Sequence, residues 1–443
     1  MPISKFKKNA PILDLQELFN TINISKEMSL EQLINYQLNK IPCLKKGVKR
    51  LYQLSMYSIS HKIRSEGNII KVSPNDNKEY FFGYYDKSPW DSSGRYMLCM
   101  KADDTWTDPD PKTSVEILLI DLENPENTRV LATSRTWNVQ QGCMAQWLGP
   151  DFSEYIIYND LRNNKYCSVI LNVNTGKEEQ VIDCPVYSVS NDGETALSLD
   201  FSRLHNLRKG YGYSAVPEKT EGIDIPDATA VWRIDIESGN VESILKYSDF
   251  ANFRPRKEMI GATHKVNHLM ISPNGKRFMV LHRWFQGYRK YTRLVTCDID
   301  GNNMYNLSDD DMVSHCYWKK DSEILAFENK HEIGPGYYLM KDKTQEYRHL
   351  WPSMSADGHP SYSPDGTLIV TDTYPNKARI AEVKVMKENE IKVIAKVFAP
   401  FRYDNDTRCD LHPRWDRKGE NICIDAVFEG KRGLYVIKLD NNE

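Results

Sequence analysis

Four histidines of this chain occupy one position of a repeated pattern. Each lies seven residues before a turn residue that separates two extended runs. The pairs of turn residue and histidine are Gly275 with His268, Ser322 with His315, Gly366 with His359, and Gly419 with His412. Because side chains alternate along a strand, an equal register places the four imidazoles on one face. If each run is the innermost strand of a repeated sheet, the four rings converge.

Converging imidazoles are typical of a transition-metal site, because neutral imidazole is the commonest metal ligand among side chains and suits Zn, Mn, Fe, Ni or Cu. Cys409 and Asp410 stand just before His412, and Cys316 follows His315, so these side chains could complete the shell. The alternative interpretation is that the histidines fill a wet channel and hydrogen-bond to waters and to one another. The pattern therefore predicts a metal or substrate site, with channel filling as the open alternative.

Further candidate binding residues lie near these histidines in the sequence. His264 shares strand parity with His268, Arg283 is close by, and Lys87 holds the histidine register in the first repeat. An insertion after the third repeat, roughly 204–228, and the residues before it are rich in groups that bind anions or stack on sugars. They are Arg203, His205, Arg208, Lys209, Tyr211 and Tyr213. Long loops on a rigid scaffold often carry binding residues, although an ordinary exposed loop is the alternative.

The element that must position these residues is a repeat of two extended runs joined by an Asp-Gly or Asn-Gly turn, or a substitute for it. Seven such units begin near residues 90, 147, 190, 272, 318, 363 and 415. Most spacings lie near the ~40–50 residues of a four-stranded propeller blade. The last unit has only three strands before the chain ends, and we expect Asn68–Ser73 to supply the fourth. The sequence thus predicts an all-β, seven-bladed β-propeller over residues 68–443.

Residues 1–67 have a different pattern and predict a small helical extension. Asp14–Ile22 and Ser29 to about Asn39 read as short helices, the second opening with a capping box. A third helix is expected over Lys45–Arg64. Residues 40–64 carry seven basic side chains and no acidic one. Such a helix can contact an acidic membrane surface or a protein partner, or it can simply present a solvated basic face.

Composition excludes several classes of protein. The 443 residues carry a net charge of −3, which argues against a globally basic nucleic-acid binder. No apolar run is long enough to span a bilayer, and no apolar core of a signal peptide follows the basic start. The nine cysteines have no paired spacing, so we expect free thiols and a cytoplasmic protein. P-loop, Rossmann, Gly-x-Ser-x-Gly and His-Glu-x-x-His motifs are all missing from the sequence.

Longer strings within the repeats resemble a known family. The Ser-Pro-Asp-Gly and Ser-Pro-Asn-Gly turns are similar to those of TolB-like propellers. The more specific strings are Gly83–Trp90, Gly358–Ser363, Thr371–Pro375 and Asp410–Trp415. Together with the late histidines, they resemble the oligogalacturonate lyase and ulvan lyase group of polysaccharide lyases. The resemblance spans about residues 69–440.

This resemblance implies a metal among the channel histidines and β-elimination from a uronic acid. By position it implies His315, His359 and His412 as metal ligands, with His268 or Cys409, and a divalent metal such as Mn or Zn. Arg203 would neutralise the uronate carboxylate, and His264 with a tyrosine, Tyr211, would transfer protons. Substrate contacts would come from His205, Arg208, Tyr213, Arg283 and Lys87.

Two functions stay open at the level of sequence. The first is a metal-dependent lyase acting on uronate-containing oligosaccharides or polysaccharides. The second is a non-catalytic propeller that binds a glycan or a protein, with a role in surface-polysaccharide metabolism. In the second case, the basic segment 40–64 would dock the protein to a membrane or to a partner.

Overall fold

The computed structural model describes residues 42–59, 63–287, 289–388 and 390–439. The predicted helices at Asp14–Ile22 and Ser29–Asn39 lie outside the described residues. The third predicted helix is present as α1, Pro42–Ile59, which begins and ends earlier than expected. Its side chains Leu51, Leu54 and Ile59 are exposed. Among the described residues, no helix combines the length and the apolar character that crossing a bilayer requires.

Seven antiparallel sheets follow one another along the chain, and they confirm the predicted seven-bladed β-propeller. Blade one contains β3 (Glu79–Phe81), β4 (Tyr96–Ala102), β5 (Val115–Asp121) and β6 (Arg129–Ser134). Blade two contains β7 (Gln146–Trp147), β8 (Tyr155–Arg162), β9 (Lys165–Asn172) and β10 (Glu178–Ile182). Blade three contains β11 (Ser188–Val189), β12 (Thr195–Leu199), β13 (Thr229–Asp235) and β14 (Val241–Lys246).

The later blades carry the four aligned histidines. Blade four contains β15 (Thr263–Ile271), β16 (Arg277–Gln286), β17 (Arg289–Asp298) and β18 (Tyr305–Ser308). Blade five contains β19 (Val313–Lys320), β20 (Glu323–Lys330), β21 (Gly334–Lys341) and β22 (Tyr347–Leu350). Blade six contains β23 (Ser361–Tyr362), β24 (Ile369–Asp372), β25 (Ile380–Lys387) and β26 (Glu390–Phe398), and blade seven contains β27 (Arg414–Trp415), β28 (Asn421–Ala426) and β29 (Gly433–Lys438).

Two strands from the start of the ring complete its last two sheets. β2 (Ile69–Lys71) pairs with β29 and supplies the fourth strand of blade seven, inside the segment expected from the sequence. β1 (Ser65–Glu66) adds a fifth strand to blade six, so sheet pairing begins before residue 68. The pairing of β2 with β29 joins the first and last parts of the propeller and covers the edge of β29, since an uncovered strand edge is a liability in sheet proteins.

Tryptophans near the innermost strands link neighbouring blades. Their indole N–H groups donate to backbone carbonyls of the preceding blade: Trp147 to Pro89 at 2.8 Å, Trp318 to Met270 at 3.0 Å, and Trp415 to Ser361 at 3.1 Å. All three rings are buried. Each satisfied donor therefore also fixes the position of one inner strand relative to the next.

The insertion between β12 and β13 is packed rather than loose. It begins with helix α2 (Phe201–Leu207), whose first turn is capped by the Asp200 side chain accepting from the Arg203 N–H. Gly212 has a φ of +65°, and a Cβ there would lie 2.3 Å from the Phe201 carbonyl oxygen. A second short helix, α3 (Tyr247–Asn252), connects β14 to blade four. Side chains of the insertion are thus held in fixed places.

Candidate active site

The four aligned histidines lie in succession around the start of the inner strands. Ring centroids are 6.2 Å apart for His268 and His315, 4.1 Å for His315 and His359, and 4.3 Å for His359 and His412. All four side chains are buried. The register argument from the sequence therefore agrees with their placement in the ring.

The backbone is unusual at this register. His268 and His412 have φ values of +62° and +46°, and Met144, three residues before Trp147 as His412 is before Trp415, has +57°. A left-handed conformation costs a non-glycine residue about 1–2 kcal/mol. The inner strands of blades two and seven start only after this point. Such local strain concentrates at functional positions, because the surrounding structure must hold it.

His359 is oriented by a buried carboxylate. Its Nδ1 lies 2.8 and 3.0 Å from the two oxygens of Asp372, and its backbone N–H also donates to Asp372. The backbone N–H of His412 donates to the other oxygen of Asp372 at 3.1 Å. A Cβ at Gly358 would lie 2.0 Å from the Asp372 carbonyl oxygen, so this close approach requires glycine. Metal-binding histidines typically donate their second N–H to a carboxylate in this way.

The residues present fit a metal ion. The Nε2 atoms of His359 and His412 are buried and have no hydrogen-bond partner among the described residues. One ligand atom from each of these histidines and from Asp410 all lie within 4.8 Å of one another. Buried polar atoms normally have partners, and two imidazole nitrogens beside a carboxylate form a donor set that a divalent cation would satisfy. Two imidazoles and one carboxylate suit a divalent transition metal.

Electrostatics differ among the histidines. Burial opposes the charged form of His359, but the charge of Asp372 outweighs it and raises the pKa of His359 above its ordinary value. Burial and the neighbouring His359 lower the pKa of His412 far below its usual range. Burial likewise lowers the pKa of His315, whose Nδ1 lies 3.1 Å from Asp357. His315 and His412 are thus neutral near pH 7, the state in which imidazole binds metals or accepts protons.

His268 has no free nitrogen for a metal. Its Nδ1 lies 3.1 Å from the Tyr84 hydroxyl and its Nε2 lies 2.8 Å from the Tyr85 hydroxyl. The Tyr85 hydroxyl donates to the Cys316 carbonyl, which assigns the histidine proton to Nε2 and makes Nδ1 the acceptor for Tyr84. The structure therefore does not bring His268 to the metal-binding group, although its ring lies in the same row.

Cys409 also lies outside this group. Its side chain packs in an apolar cluster with Ala399, Tyr403 and Val427, and burial raises its thiol pKa to about 12. Asp410, not Cys409, supplies the ligand atom that lies close to those of His359 and His412. The Asp410 carboxylate is held by the Arg408 guanidinium, with 3.0 Å between Nη2 and Oδ2.

Cationic side chains stand beside the histidines. Arg283 is buried, and its Nε and Nη1 have no hydrogen-bond partner among the described residues. The guanidinium of Arg208 lies 4.2 Å from the ring centre of Tyr211. The charge of Arg283 is the main cause that lowers the pKa of Lys290 to about 8. Unpaired buried donors next to other cations make a strong site for an anion such as a carboxylate.

Two residues predicted as catalytic are occupied elsewhere. Arg203 is buried in an ion pair with Glu218, and its other N–H groups donate to the carbonyls of His264 and of three insertion residues, Thr220, Ile223 and Asp224. The Nδ1 of His264 lies 2.9 Å from the Nε2 of His282, beside Trp284. A β-bulge between Asn267 and Met270 explains this: it shifts the register, so His264 and His268 do not share surroundings.

The other candidates lie in different places. Tyr211 is buried, 6.3 Å from Tyr84 between ring centres, and stays within the site. Tyr213 is structural: its ring stacks on Phe201 at 4.4 Å and its hydroxyl accepts from Asn159. His205 lies 3.2 Å from the Lys209 amine on the insertion. Lys87 pairs with Asp86 at 2.7 Å and lines a separate cavity. The structure thus places only Tyr211, Arg208 and Arg283 with the histidine group.

The sequence also held signals that residue types alone did not isolate. Asp357, Asp372, Tyr374 and Asp410 lie in or next to the strings that carried the family resemblance. The Tyr374 ring centre lies 5.7 Å from that of His359, and the Arg408 guanidinium lies 4.0 Å above the Tyr374 ring. Each string supplies a histidine or a group that contacts a histidine, so the four strings come together in the folded protein at the histidine row.

Solved structures share this architecture. An oligogalacturonate lyase from Vibrio parahaemolyticus matches 86% of this chain and 98% of its own, with a TM-score of 0.59 and 13% identity. An oligogalacturonate lyase in complex with manganese matches 86% and 96%, with a TM-score of 0.62 and 16% identity. The chain has the fold of the oligogalacturonate lyases. No family model and no curated protein sequence matches it.

Proposed function

We propose that this protein is a metal-dependent lyase that cleaves uronate-containing oligosaccharides by β-elimination. The observation that carries the proposal is that the His359 and His412 Nε2 atoms have no hydrogen-bond partner among the described residues, and neither do Nε and Nη1 of Arg283, whose charge acts on His268 in the same row. The two imidazole nitrogens suit a divalent cation, and the arginine side chain suits an anion. A uronate carboxylate is a ligand that needs both.

In this proposal, Arg283 and Arg208 bind the uronate carboxylate. The N–H groups of Arg203 already donate to Glu218 and to backbone carbonyls, so no donor is left for a substrate. Arg283 keeps two N–H groups free in a buried place, where a charge-assisted hydrogen bond is strongest. Neutralising the carboxylate makes the neighbouring C5 proton more acidic, which is the condition for elimination.

Proton transfer is assigned to His315 and Tyr374. Neutral His315, oriented through Nδ1 by Asp357, accepts the C5 proton. As the C4–O4 bond breaks, a C4=C5 double bond forms and the leaving O4 takes a proton from the Tyr374 hydroxyl. Burial, with Asp357 and Asp410, raises the pKa of Tyr374 far above its ordinary value, so the hydroxyl is protonated and ready to donate. Transfer of the abstracted proton from His315 to the Tyr374 phenolate then restores both groups for the next cycle.

His359, Asp410 and His412 would hold the metal. A divalent transition metal such as Mn²⁺ or Zn²⁺ would supply a Lewis acid for the carboxylate oxygen. The manganese complex of one structural neighbour supports this choice of metal class. Asp372 orients two of the three ligand residues through His359 Nδ1 and the His412 N–H.

The test is product formation by the purified full chain, with Mn²⁺ or Zn²⁺ added, on a panel of uronate oligosaccharides that includes oligogalacturonate. We expect growth of the ultraviolet absorbance of the conjugated unsaturated product. His412→Ala should abolish it, while His331→Ala, at an exposed histidine that pairs with Asp310, should not. No product from any member of the panel with metal bound would contradict the proposal.

Substitution of Arg283 tests the anion site separately. Arg283→Met removes the charge from a buried side chain and should lower kcat/KM by about 10–100-fold, the worth of one charge-assisted hydrogen bond. Arg289→Met, at an exposed arginine of the same hairpin, is the matched control and should leave kcat/KM unchanged.

A further inference from the structure

A cavity lies at the turn side of the propeller axis. It measures about 580 Å³ and takes lining residues from all seven blades, including the Ser-Pro-Asp-Gly turn of blade six. This volume is within the range of small-molecule pockets. Among its lining residues are Asp86, Lys87, Tyr317, Lys319, Tyr362 and Arg417. None of the four aligned histidines lines it.

One wall of the cavity holds a carboxylate with a missing partner. Asp86 Oδ2 pairs with the Lys87 amine at 2.7 Å, and the two side chains are 4% and 10% exposed. Asp86 Oδ1 is buried and has no hydrogen-bond partner among the described residues. A buried carboxylate oxygen without a donor is costly, so this position calls for a ligand that donates a hydrogen bond.

Other parts of the lining offer donors and aromatic faces. Among the described residues the Tyr317 hydroxyl has no hydrogen-bond partner, and Tyr317 lines the same cavity as Asp86. Burial, with the charge of Asp86, raises the pKa of Tyr317 to about 12. The Lys319 amine lies 5.6 Å from the Tyr362 ring centre, and the Arg417 guanidinium lies 3.8 Å above Phe152. Aromatic faces bordered by donors and acceptors suit a ring that carries hydroxyl groups.

The charges of the lining are mixed, which disfavours a charged ligand. The cations are Lys87, Lys319, Lys320 and Arg417, and the anions are Asp86, Asp365 and Asp416. An anionic ligand would meet the unpaired Asp86 oxygen, and a cationic ligand would meet the lysines. Hydroxyl groups both donate and accept, so an uncharged polyol satisfies both kinds of group.

This cavity is separate from the metal-binding group. None of His359, Asp410 and His412 lines the cavity, whereas Tyr85 lines it and its hydroxyl contacts His268 and accepts from the Cys316 N–H. We propose that the turn-side cavity is a second binding site, which takes an uncharged hydroxyl-bearing ring of the size of a sugar unit. The site is independent of the lyase chemistry and of the metal.

The test compares galactose, galacturonate and galactosamine, which share a ring and differ in charge. Isothermal titration calorimetry on the full chain should show galactose binding. Asp86→Asn should weaken this binding by about tenfold, the worth of a hydrogen bond to a charged group. Tyr317→Phe should weaken it by a few-fold, and His412→Ala should not change it.

The matched control is Asp192→Asn, at a turn carboxylate of blade three that does not line the cavity. It should bind galactose as the wild type does. The proposal is overturned if galactose does not bind, or if a charged sugar binds more tightly in an Asp86-dependent manner. Tyr317→Phe removes only one hydroxyl, so unchanged galactose affinity in this folded variant also overturns it, even where Asp86→Asn fails to fold.

Discussion

Replacing Asp372 by asparagine isolates the charge that orients two of the three candidate metal ligands. The side chain is 2% exposed and accepts from the His359 N–H at 2.8 Å, from His359 Nδ1 at 2.8 and 3.0 Å, and from the His412 N–H at 3.1 Å. An amide offers only one acceptor oxygen. The donors that face its NH₂ group therefore lose their partner while the shape of the site is kept.

The magnitude follows from these contacts. Losing an orienting carboxylate behind a metal-bound histidine weakens metal binding by about 10–100-fold. This corresponds to about 1.4–2.8 kcal/mol of binding free energy. One unsatisfied buried donor also lowers the free energy of unfolding by about 1–3 kcal/mol. The loss of unfolding free energy is smaller than the stability of an ordinary folded protein, so the variant should fold and bind the metal weakly.

The assay is calorimetric titration of the metal-free full chain with Zn²⁺ and, separately, with Mn²⁺. Asp365→Asn is the control: this aspartate lies in the turn of the same blade, and its carboxylate accepts from Ser363 and Thr367. We expect the control to bind as the wild type does. Equal affinity of Asp372→Asn and the wild type, with both folded, would refute the role assigned to Asp372.

Three further substitutions test the packing that supports the site. Arg203→Met leaves Glu218 as an unpaired buried charge and should destabilise the protein by about 3–5 kcal/mol, seen as a lower melting temperature, because the role of Arg203 is structural. Gly358→Ala drives a Cβ into the Asp372 carbonyl, so we expect metal binding to be lost along with stability, measured by calorimetry. Glu328 has its pKa raised to about 6 by burial, above its ordinary value, so its charged form opposes folding. Glu328→Gln should therefore raise the free energy of unfolding by up to about 2 kcal/mol at pH values above about 6, seen as a higher melting temperature. This gain should vanish as the pH falls below the ordinary glutamate pKa. An equal gain at all pH values would contradict the prediction.

The fold could be predicted because its signals are local and repeated. A turn such as Ser272-Pro-Asn-Gly275 closes a hairpin through the Ser272 side chain, which accepts from the Arg277 N–H, and through the positive φ of Gly275. Each blade needs one such hairpin, so counting turns counts blades. The aligned positions of His359 and His412 follow from the same turns, since each histidine lies seven residues before its turn glycine.

The assignments of Arg203 and His264 as catalytic residues overlooked contacts that sequence spacing does not contain. Glu218, the partner of Arg203, lies within an insertion whose path is set by tertiary packing. The β-bulge after Asn267 broke the parity that linked His264 to His268, and a one-residue shift moves side chains to the other face. The contacts of Tyr84 and Tyr85 with His268 could not be predicted from spacing, because Tyr84 and His268 are 184 residues apart along the chain.

The most direct test of the central claim is anomalous X-ray diffraction from crystals of the full chain grown with Mn²⁺ or Zn²⁺. The account predicts one strong anomalous peak at coordinating distance from His359, Asp410 and His412. A metal-loaded crystal with no peak at these residues, or with the metal bound at another place, would contradict it.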